Sequence, residues 1–249
     1  MSLTTETYGG AAVLTLRWTE KRNALSADDA DQVAAAITEA GVLTGARALV
    51  ITGEGAFSAG GDLRYFATLG STLSADEVRD TVYGRVQAMI RALRDCPVPT
   101  IAAVDGPAVG LGMDLALACD MRFVGPDGHL AQGWAKAGLI PGTGGVALLD
   151  RVAPGALWSL LATGERIGSD RAVELGIAEA GLPDAYSAAI ERVEALSRID
   201  APALAGYAAL SRLAAWPDEE NFDRAGRLQG RLLTSESFRE RAESILGRS

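Results

Sequence analysis

The sequence predicts an α/β fold, with strands and helices alternating to about residue 145 and helices dominating from there to residue 249. Three observations predict it. Short β-branched and apolar runs, such as Ala48-Leu49-Val50-Ile51-Thr52 and Thr100-Ile101-Ala102-Ala103-Val104, are separated by stretches with apolar residues at helical spacing. Two glycine-rich turns, Phe57-Ser58-Ala59-Gly60-Gly61-Asp62-Leu63 and Gly106-Pro107-Ala108-Val109-Gly110-Leu111-Gly112-Met113-Asp114, each follow one of those strands. The second turn opens directly into an apolar helical run from Leu115 to Cys119.

The elements follow in order. Residues 12–18 read as a strand. Ser26 can cap a helix whose first turn holds Asp28 and Asp29, which suits the helix dipole. That helix carries Val33, Ala36, Ile37 and Ala40 on one face and stops at Gly41. A strand is expected over 46–52. Residues 75–95 read as one helix, with Val82, Val86, Met89, Ile90 and Leu93 on its buried face. The strand 100–104, a short helix from Leu111 and a strand Met121-Arg122-Phe123-Val124 come next. Beyond residue 145, Ser169 is a candidate helix cap, and 185–198 and 235–246 read as two further helices. There is no internal repeat and no long linker. The expected organisation is a core over 1–180 that holds the site, with 181–249 as a helical extension.

Composition narrows the function classes. The chain has 48% hydrophobic residues, enough to bury a core, and no apolar run reaches the eighteen residues of a membrane span. The segment Met1 to Glu6 lacks the basic and apolar regions of a signal peptide, so the expected location is cytoplasmic. Cys96 and Cys119 are then expected to be reduced core thiols. A net charge of −9 argues against a nucleic-acid partner, and an anionic ligand would need a local basic patch. One histidine, His129, and two separated cysteines give no metal-ligand spacing, so no metal is expected. Ser58 has no histidine partner in a recognisable triad. Gly142-Thr143-Gly144-Gly145 could hold a phosphate before a helix, but it lacks the lysine and hydroxyl of a phosphate-binding loop.

The two turns carry the chemistry. A helix start leaves N–H groups unpaired, and glycine lets a ligand come close to the backbone. Two such turns can aim two N–H donors at one oxygen, which is how an oxyanion hole is built.

These turns resemble those of the crotonase superfamily, the enoyl-CoA hydratases and isomerases. The resemblance starts at Lys21-Arg22-Asn23-Ala24-Leu25 and runs through both turns to Gly138-Leu139-Ile140-Pro141-Gly142-Thr143-Gly144-Gly145. It continues in Thr163-Gly164-Glu165-Arg166-Ile167 and Ala172-Val173-Glu174-Leu175-Gly176. It implies a spiral of ββα turns, and a trimer or dimer of trimers joined through the C-terminal helices. It also implies an acyl-CoA thioester as ligand, with no cofactor beyond the coenzyme A of the substrate. The N–H groups of Gly61 and Leu111 would hold the thioester oxygen. The segment Lys21 to Leu25, with Arg22 and Ala24, would lie along the coenzyme A phosphates and adenine, and Gly61-Asp62-Leu63-Arg64 would hold the adenine and acyl entrance. Lys21, Arg22 and Arg64 would supply the local positive charge, and Ala59, Gly60 and Gly110 would be further substrate contacts. As solvated surface residues, Lys21, Arg22 and Arg64 would need no ligand.

Hydratases of this family use two glutamates around one water. Counted without gaps, those positions hold Asp114 and Trp134. One carboxylate is shortened and the other is gone, so ordinary hydratase activity is not expected. Asp114 is then either the sole acid/base of an isomerase- or hydrolase-like reaction or simply an acid in a helix's first turn. Trp134 is either a wall of the acyl pocket or a core aromatic. A tryptophan also stands here in the chlorobenzoyl-CoA dehalogenase branch, but the nucleophilic aspartate that branch needs falls on Gly142, and the dienoyl-CoA isomerase branch needs acids at both Trp134 and Gly142. A non-catalytic acyl-CoA carrier of the same fold is the alternative to an enzyme.

Overall fold

The computed structural model describes residues 2–247, so Met1 of the N-terminal segment lies outside the described residues. A six-stranded sheet forms the middle of the molecule in the order β1-β2-β3-β4-β6-β9. Its strands are β1 (Leu3–Tyr8), β2 (Ala11–Leu16), β3 (Ala48–Gly53), β4 (Thr100–Val104), β6 (Met121–Val124) and β9 (Glu179–Ala180). Only the β1–β2 pair is antiparallel; the others are parallel. A second sheet joins β5 (Pro107–Val109), β7 (His129–Ala131) and β8 (Ile167–Gly168).

Strands 2 to 4 are buried on both faces, as parallel strands under helices are. Leu14, Leu16, Leu49, Ile51, Ala102 and Val104 share the main core with α1 (Ala27–Gly41), α4 (Gly84–Arg94) and α5 (Leu111–Ala118). The alternate residues Val13, Val50, Ile101 and Ala103 face α9 (Ala185–Leu196) through Ala189, Ile190 and Val193. Helix α1 starts where expected, because Ser26 and Asp29 form a reciprocal capping box.

Several elements differ from the sequence reading. The strand read over 12–18 ends at Leu16 and is preceded by β1, with Gly9 and Gly10 both at positive φ in the two-residue turn between them. The helix read over 75–95 is broken into α3 (Ala75–Glu77), a π-helical stretch (Val78–Tyr83) and α4. The wider turn carries Val78, Val82 and Tyr83 all into the core. Ser169 is not a cap. Gly168 holds that position, Ser169 is the first residue of α8 (Ser169–Glu174), and its hydroxyl donates to the Val124 carbonyl at 2.8 Å. Cys96 and Cys119 are buried free thiols.

Between these elements lie α2 (Leu63–Thr72), α6 (Gly145–Val152) and α7 (Ala156–Thr163). The remaining helices are α10 (Ala201–Ala215), α11 (Glu219–Leu233) and α12 (Glu236–Leu246). Helices α11 and α12 pack back onto α2 and α3. Helix α10 is tied down by Arg212, which is 3% exposed. Its guanidinium pairs with Asp120 at 2.5 Å and donates to the carbonyls of Cys96 and Val98. At the carboxyl end of α5, Arg122 donates to the Cys119 carbonyl and Arg151 to the Leu117 carbonyl, at 2.5 and 2.7 Å. No single helix among the described residues is long and apolar enough to cross a membrane.

Replacing Arg212 with Leu strips Asp120 of its charged partner and removes three backbone contacts. The expected loss is about 3–5 kcal/mol of folding free energy, measured by urea denaturation. A loss under about 1 kcal/mol would show that α10 is held by packing alone.

Candidate active site

Three backbone segments that are distant in sequence are laddered together to make the floor of the site. The Leu25 N–H donates to the Gly60 carbonyl at 2.7 Å, and Asp62 N–H to the Leu25 carbonyl at 2.9 Å. On the other side, Ser58 N–H donates to Pro107 and Val109 N–H to Ser58. The segment Lys21 to Leu25 is thereby stacked on the first glycine turn, and that turn on the second. Asn23 fixes the stack from within: it is fully buried and donates to the Ala56 carbonyl at 2.7 Å. Ser58, the triad candidate without a histidine, instead donates to the Asn23 carbonyl and accepts from Gly60 N–H.

The stack requires glycine at two points. A Cβ on Gly60, which sits at φ +102°, would stand 2.4 Å from the Val109 oxygen. A Cβ on Gly112 would stand 2.4 Å from the Ser58 oxygen. These are distances no side chain tolerates, so the two turns touch backbone to backbone.

Two N–H groups are left over. Leu111 is the first residue of α5, and neither its N–H nor that of Gly61 has a protein acceptor among the described residues. Both residues line one apolar cavity of about 300 Å³. Ala59, Gly60, Leu63, Gly110 and Trp134 line it too, so the structure brings together most of the residues read from the two turns. The sequence reading missed Phe66, Val109, Gly133, Lys136, Ala137, Leu139 and Ile245, which complete the wall. Phe66 follows Leu63 at helical spacing and was findable. Ile245 arrives on α12 from the far end of the chain, and no local pattern marks it.

The remaining candidates lie outside the cavity lining. Asp62 caps α2, accepting from the N–H groups of Arg64 and Tyr65 at 3.1 Å. Lys21 is committed to Asp29 at 2.5 Å and lies over the Trp18 ring. Burial alone would raise the Asp29 carboxyl, but its bonds to Lys21 and Ser26 hold it below the usual carboxylate range. Arg22 and Arg64 are exposed, Ala24 is half-buried, and Arg22 sits in the left-handed region at φ 53°. Their side chains stand outside the cavity, free to meet solvent or a charged ligand.

Asp114 is fully buried and does not line the cavity. Its Oδ2 accepts from Trp134 Nε1 at 2.9 Å and from the Thr143 hydroxyl at 2.7 Å. Its Oδ1 has no partner. Trp134 is both a cavity wall and a ligand of the carboxyl, with its ring packed over Gly110. The indole stands between Asp114 and the cavity. Gly145 makes room for the carboxyl, since a Cβ there would fall 2.1 Å from Oδ1. Gly142 does the same for the Tyr83 ring. The segment Gly142–Gly145, a candidate phosphate loop by sequence, is used to pack the site from behind. Burial pushes the Asp114 carboxyl up to about 7, against the lowering effect of the Thr143 and Trp134 bonds.

The family described as Enoyl-CoA hydratase/isomerase matches residues 6–240 of this sequence. The chain belongs to that family. A probable enoyl-CoA hydratase of Rhodobacter capsulatus is 32% identical over 243 residues, covering 95% of this chain and 91% of its own. A probable enoyl-CoA hydratase of Mycobacterium tuberculosis is 37% identical over 185 residues, covering 72% and 69%. Among solved structures, an enoyl-CoA hydratase/isomerase from Mycobacterium paratuberculosis superposes with a TM-score of 0.86 at 27% identity, over 98% of both chains. An enoyl-CoA hydratase from Bacillus halodurans matches the fold with a TM-score of 0.88 over 98% of this chain and all of its own, at 23% identity. The fold is that of the crotonases, and the family acts on acyl-CoA thioesters.

The raised Asp114 carboxyl has a consequence for stability. Its folded value lies above the unfolded one, so its contribution is full below about pH 4 and is lost as pH rises through about 7. Asp114→Asn removes that dependence. Urea unfolding of the wild type and the variant at pH 5 and pH 8 should show the wild type losing roughly 2–3 kcal/mol relative to the variant, the part of the full shift that falls between those two pH values. Parallel curves for the two proteins would mean that Asp114 is not desolvated.

Proposed function

We propose that this family member binds an acyl-CoA thioester with its carbonyl oxygen between the N–H groups of Gly61 and Leu111, and stabilises the enolate formed there. The observation that carries this reading is the pair of unpartnered backbone donors on one apolar cavity. Each such donor is worth about 3–4 kcal/mol to a developing oxyanion. The acyl chain lies against Leu63, Phe66, Trp134 and Leu139, and the coenzyme A phosphates meet the exposed Arg22 and Arg64. Lys21 lends positive charge only as far as its pairing with Asp29 leaves any.

The reaction that suits one carboxyl is a proton shuttle. The Asp114 carboxylate takes a proton from the α-carbon, the C–H electron pair moves onto the thioester oxygen, and the same proton returns at the γ-carbon. The double bond moves and no water is added. A carboxyl that titrates near 7 can hold and release a proton at neutral pH. This step needs the Trp134 ring to leave the wall so that Oδ2, the oxygen the indole holds, faces the substrate. The complete burial of Asp114 favours a second reading, a non-catalytic acyl-CoA carrier. Exposed Tyr207, Leu210 and Leu213 on α10 and Trp158 on α7 support self-association into a trimer or dimer of trimers.

Calorimetry with acetyl-, crotonyl- and a long-chain acyl-CoA tests the ligand. The absence of binding to all three at millimolar concentration would sink the reading. Leu111→Pro tests the donor: proline is tolerated at a helix's first position but has no N–H. Turnover should fall by about 10²–10³ relative to Leu111→Ala, which also removes the leucine side chain's branched end but keeps the donor.

Crotonyl-CoA hydration should be weak or absent, and double-bond isomerisation should fall by about 10²–10⁴ in Asp114→Asn with affinity little changed. Rapid hydration would show that another group supplies the second proton. Isomerisation undiminished in the variant would remove Asp114 from the chemistry.

A further inference from the structure

From sequence Thr143 stands only in the Gly142–Gly145 turn weighed as a phosphate loop, yet it is fully buried and spends its hydroxyl proton on Asp114. Both hydrogen bonds to that carboxyl arrive at the same oxygen, Oδ2, one from Thr143 and one from the Trp134 indole. The other oxygen is packed against the backbone of Gly145 and bonds to nothing. The carboxyl therefore has one rotational setting in which Oδ2 meets both donors. Thr143, held on the loop ahead of α6, selects that setting. That loop is itself pinned from outside, since the buried Gln87 donates to the Gly142 carbonyl and the buried Gln229 accepts from Ile140 N–H.

We infer that Thr143 is a positioning residue that, through Asp114, latches the Trp134 indole as the inner wall of the acyl cavity and so limits the length of acyl group the site accepts. The acyl part of this inference rests on the thioester reading above. The latch itself does not, because it is made of hydrogen bonds within the protein. It also holds whether the protein turns its ligand over or only carries it.

A latch made this way is strongest when Asp114 is an anion, because a carboxylate accepts both bonds more strongly than the neutral acid. The groups around it leave that role to Asp114. Helix α5 carries no other titratable side chain. The π-helical stretch contributes the Tyr83 phenol, whose ionisation is driven up by burial. The turn after Trp134 contributes Lys136, which is exposed at the cavity's outer side, and α12 contributes Arg241, which lies against Gly138. Helix α6 has its nearest charges, Asp150 and Arg151, in its last turn, and α11 faces the loop with the neutral Gln229.

The test uses fluorine NMR of the full chain labelled with fluorotryptophan. Four tryptophan signals are expected, and the one lost in Trp134→Phe is Trp134. In the wild type that signal should titrate near neutrality. Thr143→Val keeps the volume but removes the donor that stabilises the anion, so the midpoint should move up and the signal at pH 7 should shift toward its acid-limit position. Thr143→Ser restores the donor and should restore both. A Trp134 signal that does not titrate, or that titrates identically in Thr143→Val, overturns the latch. In parallel, calorimetry with butanoyl-CoA and dodecanoyl-CoA should show the long-to-short affinity ratio rising on the order of tenfold in Thr143→Val and not in Thr143→Ser. An unchanged ratio overturns the wall. If the wild type binds no thioester, the functional reading fails, and the fluorine signal still decides the latch.

Discussion

Everything in the site depends on two turns being able to touch without side chains between them. The contact of Gly60 with Val109 and of Gly112 with Ser58 sets the distance between the first turn and the start of α5. A single methyl at either position would push the turns apart. The two leftover N–H groups belong to the residues on either side of that contact, so their spacing is not adjustable. It follows from backbone geometry, and backbone dipoles set in place before a reaction cost nothing to reorganise during it. The rest of the fold supports this contact. Strands 3 and 4 deliver the two turns in parallel, and the segment Lys21 to Leu25 adds a further layer of hydrogen bonds beneath them.

Much of this was legible in the sequence because it is local. Strand 4 falls on the residues its apolar run marks, α1 begins at the capping serine, and both turns carry their glycines in plain view. What was missed is what depends on partners. Strand 1 is short and mostly exposed, with polar residues that mark it weakly, although the glycine pair after it is a hairpin signal. The break in the 75–95 helix has no proline or interior glycine run to announce it. It becomes visible only through Tyr83, which must reach Gln229 and stack on Phe66.

The site shows the same division. The sequence places Asp114 in the first turn of a helix and Trp134 at a position where the resemblance implies an acid. It does not say that the two are bonded to each other, because twenty residues separate them. The bond changes the meaning of both. Trp134 is more than a cavity wall, since its N–H occupies the Asp114 carboxyl. The basic patch is likewise thinner than the sequence suggests: Lys21 spends its charge on Asp29, a residue eight positions on that reads from sequence as a helix-dipole acid.

Helix α5 has an asymmetry that reaches beyond the cavity. Its amino end offers free N–H groups to the site, while its carboxyl end is covered by Arg122 and Arg151. The negative pole of the helix is thus covered by two guanidinium groups inside the protein, while the positive pole holds the buried Asp114 carboxyl and the unpartnered Leu111 N–H. Over roughly 12 Å of helix, the backbone dipoles point their positive end toward the cavity that Leu111 lines. The chain as a whole carries nine more negative than positive charges. What the cavity offers an anion in so acidic a chain is therefore backbone N–H held in the core rather than a basic surface.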